Sequence, residues 1–379
     1  MNRSHLLHGL KRLTAAETAP YDELPTRAAL CAWLSELRLP YEMDLFGNTY
    51  VRVRYGHPRR QVALVAHLDH PAFRVTAVKG SEVTCVAEGG LPTVGVKGAK
   101  VCFPRAAAGR VVGKVAAAKI EVHKGRARIQ SAKIKVAAHG PKPGVGDFGI
   151  FDLPPLKVSG HRAKMRVADD LAGCAAIVGT LADLSRQSAA VDVVAVFTRA
   201  EEVGFVGALS VAIENRLPRD TVVVSVECSR AYGDVALGKG PVVRLGDRAG
   251  PFHPRAAMLI DGAARALGSK KLAYQSALMA GGTCEATAFA AFDYAAGGIA
   301  LPLLCYHNQG PQGVAAEEID LRDLEGATIL LSAVALRAGA GTEDLDLLRN
   351  ELVVGSQDGR ERLRAPIDPA TGYPRGTTF

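Results

Sequence analysis

Apolar runs recur along this chain, and several stop where a carboxylate or an imidazole appears. QVALVAH ends at His67, KMRVADD reaches Asp169, VDVVAVFTRAEE reaches Glu201 and Glu202, TVVVSVE ends at Glu227, and IALPLLCYH ends at His307. Continuous β-branched runs of this kind predict strands covered on both faces. Between them, spacings of three and four residues predict helices over Thr26 to Leu37, Leu171 to Leu184, Val206 to Asn215, Pro254 to Leu267, Glu285 to Phe292 and Leu321 to Leu336. Strands alternating with helices predict an α/β fold with a sheet at its centre.

The texture changes between Phe73 and Gly160. Runs such as EVTCVAE, AKVCFP, RVVGKVAAAKIEV and ARIQSAKIKVAA are broken by glycine and proline and lack helical periodicity. They predict a small β-barrel or β-sandwich inserted into the main domain. The expected organisation is therefore a catalytic domain over 1–73 and 161–354, interrupted by a β domain over 74–160. The polar, proline-containing stretch 355–379 is expected to form an extended or mobile tail.

Composition narrows the function classes. With 48% hydrophobic and 22% charged residues, the 379-residue chain has an ordinary globular balance. Its formal charge of +8 comes from dispersed lysines and arginines without interleaved aromatics, so no nucleic-acid partner is expected. No apolar stretch is long enough to span a bilayer, so no membrane partner is expected. The seven cysteines are odd in number and widely spaced, as in reduced intracellular proteins, and the expected location is the cytoplasm.

Open α/β sheets gather their sites at the carboxyl ends of strands, so the side chains that end the runs are expected to meet. Two imidazoles with several carboxylates suit a pair of divalent cations. His67-Leu68-Asp69 places Asp69 two residues beyond His67, where it can orient the ring. Each residue also has a plainer reading. His67 suits a hydrogen-bonded strand end, Asp169-Asp170 a helix cap, and Glu201-Glu202 an acidic first turn. Glu227 is harder to explain that way, since an unpaired carboxylate within an apolar strand is costly. Adjacent glutamates can divide the work, one ligating metal and the other accepting a proton.

Other motifs carry less. Gly144-Val145-Gly146-Asp147-Phe148-Gly149 has the spelling of a dinucleotide loop, yet no helix follows it. Cys305 lies in an apolar strand that supplies nothing to activate a thiol, which points to packing.

Segments spread from Asp44 to Leu336 share an order with a known family: Asp44-Leu45-Phe46-Gly47-Asn48, Ala66-His67-Leu68-Asp69, Asp147-Phe148-Gly149, Asp169-Asp170, Glu201-Glu202-Val203-Gly204, Gln275 with Gly281-Gly282-Thr283, and His307. In this they resemble the glutamyl and deblocking aminopeptidases, dinuclear metallopeptidases that include the tetrahedral aminopeptidases. The resemblance implies a mixed-sheet, three-layer, zinc-peptidase-like catalytic domain. It also implies two divalent ions, zinc first with cobalt or manganese as alternatives, held by His67, Asp169, Glu202, Glu227 and His307. Asp169 would bridge them, Asp69 would support His67, and Glu201 would be the general base that deprotonates a water between the metals.

By the same resemblance, Gly281, Gly282 and Thr283 would present backbone N–H groups to a peptide or small amide substrate. The chain would form a homo-oligomer, from dimer up to dodecamer. The implied activity is removal of residues from peptide N-termini. The alternatives are a metal-dependent deacylase or amidohydrolase acting on non-peptide amides, and a catalytically silent assembly protein on the same fold. The chain departs from the family at His70-Pro71, which replaces an acidic and an aliphatic residue, and at Cys284, where an aspartate is usual. It departs again at Asn308-Gln309-Gly310 and at Glu227, where aspartate is usual.

Overall fold

Alternate residues of the central runs turn to opposite faces of one sheet, and both faces are covered. The computed structural model describes residues 3–107, 109–123, 126–342, 344–364 and 370. Helices α1 (Arg3–Ala15) and α2 (Leu24–Glu36) lead into strands β1 (Tyr41–Met43), β2 (Thr49–Tyr55) and β3 (Val62–His67). Six strands come next: β4 (Ala72–Lys79), β5 (Glu82–Glu88), β6 (Lys100–Phe103), β7 (Val111–His123), β8 (Arg126–Val136) and β9 (Phe148–Phe151). Then come β10 (Lys157–Ser159), β11 (Arg162–Met165), α3 (Leu171–Leu184), β12 (Val191–Thr198), α4 (Val206–Ile213) and β13 (Val222–Arg230). Beyond these lie β14 (Val242–Asp247), β15 (Gly250–Pro251), α5 (Pro254–Leu267), β16 (Gln275–Leu278), α6 (Glu285–Ala290) and β17 (Ala295–Leu303). The chain continues through β18 (Gln309–Gly310), β19 (Gly313–Val314), β20 (Glu317–Asp320), α7 (Leu321–Ala340), α8 (Asp344–Gly355) and α9 (Gln357–Arg364).

The main sheet runs β1-β2-β12-β3-β13-β17-β14-β15, with β16 added beside β14. Its centre is parallel, since β3 pairs in parallel with β12 and β13, and β13 with β17. Antiparallel β2 and β14 flank it, so the sheet is mixed. Val62, Leu64 and Ala66 of β3 join the core beneath α3, α5 and α7, while Ala63 and Val65 join the core beneath α4 and α6. This is the expected three-layer α/β domain. Double coverage explains why the central strands read as unbroken apolar runs, each buried valine or leucine contributing roughly 1.5–3 kcal/mol.

The inserted strands close into a barrel, β4-β5-β8-β7-β6-β9, rather than a sandwich. Phe73, Val75, Phe103, Val115, Ile134 and Phe151 fill it. The Gly-rich spelling at 144–149 leads into β9, and no helix succeeds it. The barrel strands span residues 72–151. The small strand β10, placed by sequence within the insertion, instead pairs with β11 and through it with β20. The segment expected to be an extended tail is helical over α9, and most of the chain beyond Arg364 lies outside the described residues. No described helix is long and apolar enough to cross a membrane.

Candidate metal centre

Of the residues predicted at strand ends, only His67 is the last residue of its strand. Asp169 lies four residues past β11, in the loop entering α3, and Glu201-Glu202 come after β12 in a loop whose Ala200 has a φ of 51°. Glu227 is inside β13, before the strand ends. His307 sits four residues beyond β17 in a tight turn, where Cys305, His307 and Asn308 have φ of 56°, 53° and 61°. Left-handed backbone at such residues costs roughly 1–3 kcal/mol each and tends to gather at functional sites.

Despite these different settings, the five predicted ligands and Glu201 converge. One cluster joins His67, Glu201 and Glu227, and a second joins Asp169, Glu202 and His307, with ligand atoms in each within 4.8 Å of one another. Asp169 links the clusters. Its Oδ1 is 3.4 Å from His67 Nε2 and its Oδ2 is 3.5 Å from His307 Nε2. Two ligand atoms bound to one tetrahedral ion stand about 3.4 Å apart, given metal–ligand bonds near 2.1 Å. Glu202 Oε1 lies 3.0 Å from His307 Nε2, and Glu201 Oε2 lies 3.9 Å from His67 Nε2.

Polar atoms without hydrogen-bond partners test whether cations fit. With the imidazoles neutral and unprotonated at Nε2, as metal ligation requires, Asp169 Oδ1, Glu202 Oε1 and Glu227 Oε1 are buried and have none. Such lone pairs are costly unless something electropositive meets them. Both imidazoles present Nε2 to the cluster. The Nδ1–H of His307 donates to Gly90 O at 3.0 Å, fixing the tautomer, and the Tyr306 ring stacks on His307 at 3.8 Å. The donor set fits two divalent ions.

Charge tells the same story. Burial lowers the proton affinity of both imidazoles, but facing carboxylates, Glu201 for His67 and Glu202 for His307, drive both pKa values well above the ordinary histidine range. Burial also works against an ionised Asp169, yet His307 and His67 hold its carboxyl below the usual range. Burial, reinforced by Asp169, pushes Glu227 up to about 8, and burial raises Glu201 well above the usual range. The protein groups alone therefore carry more negative charge than the buried site accommodates, as expected where cations complete it.

Asp69 is buried, and its carboxylate accepts N–H bonds from Glu201 at 2.9 Å and Glu202 at 3.1 Å. Its Oδ1 is 3.6 Å from His67 Nδ1, and its own carbonyl oxygen is nearer, at 3.3 Å. Asp69 thus positions the two glutamates through their backbone as well as facing the imidazole. Asp170 occupies the cap position of α3 without a side-chain capping bond. The turn at Gly281-Gly282-Thr283 is not part of the ligand cluster. It precedes α6, and its carbonyls at Gly281 and Gly282 accept bonds from Arg126 and the Arg248 backbone.

Sequence reasoning missed Glu317. This fully buried carboxylate accepts N–H bonds from Ala168 (2.7 Å) and Asp169 (3.0 Å) at one oxygen and from His307 (2.7 Å) at the other. Glu-Glu-Ile-Asp at 317–320 reads as a solvated acidic stretch, so its pattern carried no signal. Arg244, 3% exposed, is another missed group, and its positive charge opposes the rise at Glu227. Six of the seven cysteines are buried, with Cys174 Sγ donating to His67 O and Cys228 Sγ to Ala168 O, each at 3.2 Å, while Cys305 lies half-buried in the turn past β17 and not in the strand expected for it. Burial pushes the Cys284 thiol up to about 12.

A three-layer mixed sheet with an inserted barrel, and a carboxylate-histidine cluster at one end of its central strands, is the architecture of the zinc-peptidase-like folds. Residues 47–328 match the M42 glutamyl aminopeptidase family, and the chain belongs to it. It is an enzyme of the peptidase class. The fold is similar to an aminopeptidase from the archaeon Desulfurococcus kamchatkensis, at 22% identity and TM-score 0.74, covering 88% of this chain and 95% of that one. A TET aminopeptidase from a marine sediment Thaumarchaeota archaeon is 20% identical with TM-score 0.74, covering 90% and 99%. Pyrococcus horikoshii TET1 peptidase, which can assemble into a tetrahedron or a large octahedral shell, is 22% identical with TM-score 0.71, covering 87% and 99%.

Proposed function

We propose that this protein is a dinuclear metal-dependent aminopeptidase that removes residues from peptide N-termini. The observation that carries the reading is the Asp169 carboxylate, one oxygen facing each imidazole at the separation expected of ligands sharing an ion. His67 and Glu227 would hold one cation, Glu202 and His307 the other, and Asp169 both. Zinc suits this set best, and cobalt or manganese would also be accepted. When bound, two such ions polarise a scissile carbonyl and lower the pKa of water.

The chain's own residues do the rest. Glu201 lies beside His67 with a carboxylate oxygen available to take a proton from water and return it to the departing amine. Asp69 holds Glu201 and Glu202 in place through their N–H groups. Gly281, Gly282 and Thr283 are assigned to hold the peptide backbone. Residues 1–73 and 161–354 would form the catalytic unit and 74–160 the inserted unit. Assembly of related peptidases into closed shells supports a homo-oligomer.

A Glu201→Gln variant tests the reading. It is expected to retain the metal content of the parent while hydrolysis of aminoacyl anilides falls by roughly 100-fold or more. Unchanged turnover would remove the role of Glu201. Turnover of N-acylated amino acids in place of aminoacyl anilides would replace the aminopeptidase reading with an amidohydrolase.

A further inference from the structure

His70 is 3% exposed and lies just past the His67-Leu68-Asp69 segment, where its ring touches the turns that carry Asp169 and His307. Its Nδ1–H donates to the main-chain oxygen of Asp169 at 2.9 Å, the carbonyl having no proton to give. Its Nε2 lies 3.3 Å from Asn308 Oδ1, and Asn308, 2% exposed, donates from Nδ2 to Arg166 O at 2.8 Å. The ring also meets the His307 ring edge-on at 5.9 Å. The segments of His67 and Asp169 are thereby bonded through one imidazole, whose other edge packs against the turn of His307 and Asn308. The backbone of Asp169 is gripped at both ends, its N–H by Glu317 and its carbonyl by His70.

That grip has a geometric consequence. Asp169 can serve two ions only if its carboxylate presents one oxygen to each, which fixes its χ angles relative to its backbone. A peptide free to rock would swing one oxygen away from its imidazole. We propose that His70 is a positioning residue that holds Asp169 in the bridging orientation. The proposal rests on the dinuclear reading above. His70 touches neither ions nor substrate in it, acting only through Asp169 and His307.

Asparagine and glutamine separate the two ends of the ring, since the Asn amide nitrogen overlays Nδ1 and the Gln amide nitrogen overlays Nε2. The test compares full-length His70→Ala, His70→Asn and His70→Gln proteins by zinc affinity in chelator competition and by the visible spectrum of the cobalt-loaded protein. His70→Ala is expected to weaken zinc binding by about 10–100-fold and to alter the cobalt bands. It should lower kcat with little change in KM. His70→Asn should restore affinity and spectrum well beyond His70→Gln. If the alanine variant does not fold, the asparagine and glutamine variants, which leave little cavity, decide between themselves.

Parental zinc affinity and cobalt bands in His70→Ala would overturn the proposal while leaving the dinuclear reading intact. Equal behaviour of the asparagine and glutamine variants would also overturn it, because the Asp169 bond would then not matter. Failure of the parent protein to bind zinc would remove both the proposal and the reading.

Discussion

Glu285 shows how much carboxylate charge this molecule buries around its centre. It is fully buried at the start of α6, accepts a hydrogen bond from the Thr198 hydroxyl, and leaves Oε2 without a partner. Burial raises its pKa from 4.5 to about 7, with His67 opposing the rise. The folded state therefore binds this proton more tightly than the unfolded chain does. Its stabilising contribution is complete below about pH 4.5 and drains away as the pH climbs through about 7. In chelator-treated protein, Glu285→Gln should remove that decline. The stability difference between variant and parent should grow by about 1–3 kcal/mol across this window in urea unfolding. A constant difference from acid to neutral pH would show that Glu285 ionises freely in the folded state. Glu317 is the contrasting case, a buried carboxylate matched to three backbone donors, and no local pattern distinguishes such a residue from a surface glutamate.

The barrel carries an arrangement that sheets usually avoid. Lys100 of β6 stands directly opposite Lys114 of β7, and Lys114 directly opposite Lys135 of β8. All three are exposed, and the next position across, Glu82, is bonded to Lys133 at 2.8 Å. Like charges facing across strands are destabilising, so Lys114→Thr is expected to raise stability by about 0.2–1 kcal/mol at low salt. The gain should shrink as salt screens the ladder, and an unchanged denaturation midpoint at low salt would show that the lysines fan apart without cost. Elements of the catalytic sheet were legible because their runs are buried on both faces, and β3, β12 and β13 follow the apolar pattern closely. The exact placement of ligands was not. His307 reads as the end of a strand, but the chain leaves β17 at Leu303 and turns through left-handed residues before the imidazole appears. Backbone strain held by tertiary contacts leaves no periodic trace.

Across the whole molecule, convergence of His67, Asp169, Glu201, Glu202, Glu227 and His307 could be anticipated from the rule that α/β sheets concentrate chemistry at one edge, without knowing the strand order. The grip on those residues could not, since Glu23, Glu317, His70 and Asn308 act across long sequence separations. Glu23 pairs with Arg199 at 2.7 Å and accepts the N–H of Ala200, steadying the turn before Glu201. Helix α8 leaves Leu347, Leu348, Leu352, Val353 and Val354 exposed on a single chain, and apolar side chains gathered on one exposed element mark interaction surfaces. Light scattering should therefore give a mass that is a multiple of 39.8 kDa, and a purely monomeric species would reject self-association.

The carbonyl of Gly90 that receives the His307 proton belongs to the loop leaving β5, so one wall of the chemistry is built by the insertion. The approach is tight enough that a methyl group at Gly90 would come within 2.8 Å of His307 Nδ1. A push on the barrel from outside, by a neighbouring copy or any other contact, would reach the His307 turn through that link and through the Thr93 and Val94 N–H bonds to Gln309 Oε1. Quaternary contacts made by the barrel would thus shift the setting of His307, and trimming the insertion to a linker would cost that imidazole its alignment along with a domain.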